Sequence, residues 1–110
     1  MDLSRYIGLP YEGCWSLLRR MHWELFQNLL PEEYRLAEPE IVREFQRVDQ
    51  PRFGDIIVFR SDLRHVGFVV DRTRMLHTTS DYGHSRIERF TTPEWSPKIT
   101  ALYRHRALMS

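Results

Sequence analysis

Three side chains in the sequence have the chemistry that nucleophilic catalysis needs: the single cysteine, Cys14, and two histidines, His65 and His77. A cysteine nucleophile requires a base to accept its proton, and the base requires a third group to orient it. Cys14 lies where a helix is predicted to begin, and the free N–H groups and dipole of a helix start favour a thiolate and a lowered thiol pKa. The alternative is that Cys14 is a small core residue. A metal site made of the same three side chains is a further alternative, although their spacing matches no recognisable zinc motif.

The helix that would position Cys14 is predicted from apolar spacing after a turn at Pro10–Gly13. Apolar residues on one helical face recur at Leu17, Leu18, Met21, Leu25 and Leu29. We expect the helix to run from about Cys14 to Leu29 and to stop before Pro31. The thiol points along the same face and should meet whatever the helix packs on. His22 lies at the flank of that face and is assigned no role.

From Pro51 onward, apolar or alternating runs separated by turn residues predict β-strands. The runs are Ile56–Phe59, His65–Asp71, Met75–Thr79, Arg86–Phe90 and Ile99–Arg104. The stretch Glu40–Val48 fits either a short second helix or a strand that begins at Phe45, and the sequence leaves both open. The predicted fold class is α+β, with an N-terminal helix packed on an antiparallel sheet of about five strands.

Whether the two histidines meet depends on the turn between their strands, because side chains alternate faces along a strand. A two-residue turn would place Phe68 opposite His77 and leave the histidines on opposite faces of the sheet. A three-residue turn would place Gly67 opposite His77 and put both imidazoles on one face as diagonal neighbours. Residue types alone leave both turns open.

Length and composition predict one globular domain over residues 1–110. Hydrophobic residues make up 42% of the chain and the net charge is +1, so we expect no nucleic-acid partner. One cysteine excludes an intramolecular disulfide. No run is long enough for a signal peptide or a membrane span, which predicts cytoplasmic synthesis without a signal peptide and no membrane partner.

The combination of these stretches resembles the NlpC/P60 family, which are papain-like cysteine peptidases of bacterial cell-wall peptides. The features that carry the resemblance are Cys14 at a helix start, Gly54-Asp55 before an apolar strand, His65-Val66-Gly67 and Met75-Leu76-His77. The resemblance covers the chain from Tyr11 to Arg104. It implies an NlpC/P60 fold in which Cys14 is the nucleophile, His65 the general base and later acid, and His77 the residue that orients His65.

The resemblance also implies a substrate and a setting. The substrate would be a peptidoglycan stem peptide, cut after γ-linked D-glutamate, without a cofactor or metal. Tyr11 and Trp15, on either side of Cys14, are predicted to contact it. The Cys14-Trp15 variant is most similar to members found in phage tails, which predicts association with a tail or a similar delivery apparatus. Because Gly13 replaces the usual aspartate, a non-catalytic tail-assembly or wall-binding module with the same fold remains the alternative.

Overall fold

The computed structural model describes residues 2–32, 43–60 and 64–109. In these ranges the helix α1 spans Cys14–Phe26. The strands are β1 (Phe45–Val48), β2 (Ile56–Phe59), β3 (Val66–Val69), β4 (Arg74–Thr78), β5 (Ser85–Arg89) and β6 (Ile99–His105). Short 3₁₀ turns lie at Ser4–Tyr6, Ser96–Lys98 and Arg106–Leu108. Among the residues described, no helix combines the length and apolar character needed to cross a membrane.

The strands form one antiparallel sheet in the order β1-β6-β2-β3-β4-β5. The predicted α+β class is therefore confirmed, with six strands rather than about five. The additional strand is Phe45–Val48, which pairs with β6 from Phe45 opposite His105 to Val48 opposite Leu102. Residues 40–42 of the stretch that the sequence left open lie outside the described residues, as do residues 33–39 of the connection before it.

Both faces of the sheet are apolar at its centre. Successive side chains of a strand point to opposite faces, and successive residues of the central strands are apolar. Ile56, Phe68 and Leu76 pack with the α1 residues Trp15, Leu17, Leu18 and Met21 in the larger core. Their sequence neighbours Ile57, Val69 and Met75 pack on the other side with Phe59, Phe90 and Trp95. This explains why the central strands are continuous apolar runs in the sequence, and it buries both faces of β3 and β4.

The helix ends earlier than its apolar spacing predicts. Gln27 adopts a left-handed conformation with φ 53°, and its N–H donates to carbonyl oxygens of the last turn of α1. The chain leaves the helix there, so Leu29, expected on the buried face, is 69% exposed, whereas Leu30 is buried. The prediction of a helix to Leu29 is wrong. The apolar spacing continues past the end of the helix, and the C-cap residue is Gln27 rather than the glycine that usually marks such an end.

Gly54, immediately before β2, occupies a position that only glycine fits. Its φ is +94°, and a Cβ there would lie 2.9 Å from Cζ of Phe26 and 3.0 Å from Cδ1 of Leu108.

Gly54→Ala should lower the free energy of unfolding by about 2–4 kcal/mol, because it adds a steric clash to an unfavourable backbone conformation. Chemical denaturation measures this loss. Gly83→Ala is the matched control, since Gly83 has φ +75° and open space around it, and it should cost only about 1 kcal/mol; equal losses in the two variants would contradict the packing argument.

Candidate active site

The turn between β3 and β4 contains three residues. Val70 donates its N–H to the carbonyl of Arg74 over 2.9 Å, which leaves residues 71–73 as the loop. The Asp71 carboxylate stabilises that loop by accepting the backbone N–H groups of Thr73 and Arg74 at 3.0 and 2.9 Å. The strands pair Phe68 with Leu76 and Val69 with Met75, and the same register sets residues 67 and 77 opposite each other. Of the two turns that the sequence left open, the three-residue turn is the one that forms.

This register brings the two histidines together on one face of the sheet. Nε2 of His65 lies 2.7 Å from Nδ1 of His77, and both side chains are buried. Gly67 leaves the space that the rings occupy, since a Cβ at this position would lie 3.1 Å from Sδ of Met75 and 3.6 Å from Cβ of His77. The pair is therefore a consequence of strand register together with a missing side chain.

Aromatic rings pack against the pair and help to bury it. The Phe59 ring centroid is 5.0 Å from that of His65, and the Trp95 ring is 5.8 Å from His65 and 5.2 Å from His77. Burial lowers the pKa of His65 to about 4, with a further lowering from His77 that the Glu88 carboxylate opposes. Burial also lowers the pKa of His77. Both imidazoles are consequently neutral at pH 7.

Cys14 is the first residue of α1 and is partly buried. Its thiol donates a hydrogen bond to the carbonyl oxygen of Arg64, with Sγ 3.6 Å from that oxygen. Arg64 directly precedes His65 and has a φ of 45°, a left-handed conformation that is uncommon for residues other than glycine. The sulfur therefore contacts the backbone that leads into the histidine pair.

The expected lowering of the thiol pKa is not found. Burial raises the pKa of the Cys14 thiol, and hydrogen bonds with the backbone of Val66, Trp15 and Cys14 itself only partly offset this. The helix start supplies N–H groups, but burial of the thiol outweighs them and disfavours a resting thiolate. The Cys14 thiol and the His65 imidazole are thus both neutral at pH 7.

Alkylation with iodoacetamide should report this state directly, because only the thiolate reacts and Cys14 is the only cysteine. We expect the rate at pH 6 to be below about a hundredth of the rate at pH 9, since the raised pKa leaves little thiolate at pH 6. Mass spectrometry of the labelled protein follows the reaction, with Cys14→Ala as the unlabelled control. A rate that is already at its plateau between pH 5 and 7 would instead indicate a thiolate–imidazolium pair.

A pocket of about 310 Å³ lies over these residues, within the size range of small-ligand sites. It is lined by Tyr11, Cys14, Arg64, His65, Thr78, Thr79, Ser80, Asp81, Tyr82, Glu94, Trp95 and Lys98. Tyr11, predicted to contact substrate, is 41% exposed and lies in this lining with Cys14 and His65. Trp15 is placed elsewhere: it is buried in the larger core, and its indole N–H donates to the carbonyl of Pro31 over 2.8 Å.

Sequence reasoning missed Glu88 on β5. Its Oε2 lies 2.6 Å from Nε2 of His77 and accepts the hydroxyl of Tyr82 at 2.9 Å. The register places Arg86 opposite His77, so Glu88 is the diagonal neighbour of His77 on the same face. The signal available in the sequence was a carboxylate two residues after Arg86. That signal can be used only if the register of β4 with β5, set across residues 79–84, is known. In the described part of the chain, no group of three or more histidine, cysteine and carboxylate side chains is arranged to hold a metal ion.

The helix begins at a cysteine and packs on an antiparallel sheet, and the paired histidines lie just before β3 and on β4. This arrangement defines the papain-like class of cysteine-hydrolase folds. The model of the NlpC/P60 family matches residues 11–104, and the chain belongs to this family. The family consists generally of hydrolases of the cysteine-peptidase type that are related to peptidoglycan. No curated protein matched the chain.

Proposed function

We propose that this chain is a cysteine peptidase or amidase that hydrolyses peptidoglycan stem peptides. Cys14 is the nucleophile, His65 is the general base and acid, and His77 orients His65. The observation that carries the proposal is the 2.7 Å hydrogen bond between the two imidazoles, next to a pocket that Cys14 and His65 both line. A base oriented by a third group beside a cysteine is what acyl transfer requires.

The hydrogen bonds suggest how the proton moves. Nε2 of His65 is occupied by His77, so Nδ1 is the nitrogen that accepts the proton of Cys14. When substrate binds, the thiol turns from the Arg64 carbonyl to Nδ1, in keeping with catalytic hydrogen bonds that tighten only in the complex. The sulfur attacks the scissile carbonyl carbon as its proton passes to His65. Because the resting groups are neutral, charge develops only during the attack.

The remaining steps complete hydrolysis. Backbone N–H groups at the start of α1, including that of Cys14, stabilise the negative oxygen of the tetrahedral intermediate. His65 then donates its proton to the leaving amine, and the C–N bond breaks to give a thioester on Cys14. A water molecule, deprotonated by His65, attacks the thioester, and the thiol leaves with the proton returned to it. The products are a carboxylic acid and an amine.

The charges around the pocket fit a peptide that carries both amino and carboxylate groups. Arg64 and Lys98 contribute cationic side chains to the lining, whereas Asp81 and Glu94 contribute carboxylates. Tyr11 contributes an exposed aromatic ring to the same lining as Cys14. A bond after γ-linked D-glutamate is the proposed scissile bond, by analogy with the family. Association with a phage tail stays a prediction from the residues around Cys14.

Incubation of the protein with purified muropeptides, followed by mass spectrometry, tests the proposal. We expect two products whose masses sum to that of the substrate plus one water, with a new amino group on the residue after D-glutamate. A muropeptide with an α-linked glutamate is the matched control and should be cut much more slowly. Retention of intact muropeptide without cleavage would favour the alternative, a non-catalytic assembly or wall-binding module.

A further inference from the structure

A carboxylate lies behind the histidine pair at a position that the proposed mechanism does not use. Glu88 Oε2 is 2.6 Å from Nε2 of His77, whose Nδ1 is 2.7 Å from Nε2 of His65. Tyr82 donates its hydroxyl hydrogen to the same oxygen of Glu88. The four side chains form a continuous series of hydrogen bonds that ends at His65, which lines the same pocket as Cys14.

The direction of these hydrogen bonds follows from the carboxylate. Burial by itself would raise the pKa of the Glu88 carboxyl, but the hydrogen bonds from His77 and Tyr82 and the nearby Arg86 cation together lower it, so Glu88 is ionised at pH 7. An ionised carboxylate only accepts hydrogen bonds, which puts a proton on Nε2 of His77. Neutral His77 then has a bare Nδ1 and accepts the Nε2–H of His65. The lone pair of His65 is left on Nδ1.

We propose, resting on the peptidase function proposed above, that Glu88 is a positioning residue that fixes the tautomers of His77 and His65 and so keeps Nδ1 of His65 available as the base. The opposite tautomer of His77 would point an N–H at His65 and move the proton of His65 to Nδ1. In that form His65 has no lone pair for the Cys14 proton. The Glu88 carboxylate also stabilises the positive charge that His65 acquires during the attack.

Neighbouring groups restrain Glu88 in this role. The Arg86 guanidinium lies over the Tyr82 ring, 3.1 Å from its centroid, and Nη2 of Arg86 is 3.6 Å from Oε1 of Glu88. Besides Glu88, the charges that act on His77 are Arg86, which lowers its pKa, and Glu94, which raises it. Oε1 of Glu88 thus faces a cation, while Oε2 faces the two donors.

Two variants separate the hydrogen bond from the charge. Glu88→Gln keeps an oxygen where Tyr82 and His77 both donate, so the tautomers should persist and kcat/KM should fall about 10-fold through loss of charge. Glu88→Ala removes the acceptor, and kcat/KM should fall about 10²-fold or more, in kcat rather than KM. Glu24→Gln is the matched control: Glu24 also accepts a tyrosine hydroxyl, that of Tyr6, and pairs with an arginine on α1.

Nitrogen-15 NMR of the histidine-labelled 110-residue chain at pH 7 reads the tautomers without any substrate. We expect Nε2–H on both His65 and His77 in the wild type, in Glu88→Gln and in Glu24→Gln, and a loss of this pattern in Glu88→Ala. A wild-type His77 protonated at Nδ1 would overturn the proposal, as would unchanged tautomers in Glu88→Ala. An active enzyme whose kcat/KM is the same in Glu88→Ala and Glu24→Gln would overturn it as well.

The two readouts keep this inference apart from the function on which it rests. If the wild type cleaves no muropeptide, the peptidase proposal fails, whereas the wild-type and Glu88→Ala spectra still show whether Glu88 sets the tautomers. If the wild type is active and the spectra change as expected but kcat/KM does not, the catalytic role of Glu88 is refuted and the peptidase proposal stands.

Discussion

Replacement of Cys14 by alanine should abolish hydrolysis of muropeptides, with kcat/KM lower by roughly 10⁴-fold or more, the scale of losing a nucleophile. The sulfur forms the covalent thioester in the proposed mechanism, and no second cysteine is present to take its place. The fold should persist, because Cys14 is only partly buried and the hydrogen bond from its thiol to the Arg64 carbonyl is long. Product formation over time measures the loss, and thermal unfolding checks the fold.

Ser16→Ala is the matched control for this prediction. Ser16 lies two residues further along the first turn of α1 and is exposed, so its replacement should leave kcat/KM within about twofold. If Cys14→Ala cleaves as fast as Ser16→Ala, the nucleophile is a different group and the proposed mechanism is wrong.

The largest loss of stability is expected for Asp55→Ala, about 3–5 kcal/mol in the free energy of unfolding. Asp55 is fully buried and forms two hydrogen bonds of 2.8 Å with Nε and Nη2 of Arg104, which is itself largely buried. It also accepts the backbone N–H of Arg52 over 2.8 Å. Removing the carboxylate leaves the largely buried guanidinium of Arg104, on β6, without its counter-ion. Urea denaturation of the purified variant measures the change.

An exposed ion pair supplies the comparison. Arg20 pairs with Glu24 on α1 with both side chains accessible to water, so Arg20→Ala should cost less than about 1 kcal/mol. A double variant, Asp55→Ala with Arg104→Met, should recover part of the loss because the buried charge is gone. Equal destabilisation by Asp55→Ala and Arg20→Ala would contradict a structural role for the buried pair.

Local patterns predicted most of the elements. Turn residues next to apolar runs located five strands, and Pro10 and Gly13 located the start of the helix at Cys14. The end of the helix was predicted wrongly, since Gln27 adopts the left-handed conformation without glycine. The sequence did not decide between a helix and a strand at Phe45–Val48. Four residues with one buried aromatic side chain are compatible with both the helical and the strand periodicity.

The candidate site depends on long-range register, which residue types do not encode. His65 and His77 lie on the same face of the sheet because the loop between β3 and β4, stabilised by Asp71, has three residues. Glu88 reaches His77 through the pairing of β4 with β5 across a six-residue connection, so the carboxylate becomes informative only once that register is known. The thiol pKa was predicted in the wrong direction for a related reason: its burial depends on how α1 packs on the sheet.

Capture of the acyl-enzyme is the most direct test of the central claim that Cys14 attacks the stem peptide. The protein would be mixed with a muropeptide, quenched in acid within milliseconds to seconds, and examined by intact-mass spectrometry with mapping of the modified peptide. We predict an adduct with the mass of the acyl portion of the substrate on the peptide that contains Cys14. Turnover with no adduct there, or an adduct on another residue, would contradict the account.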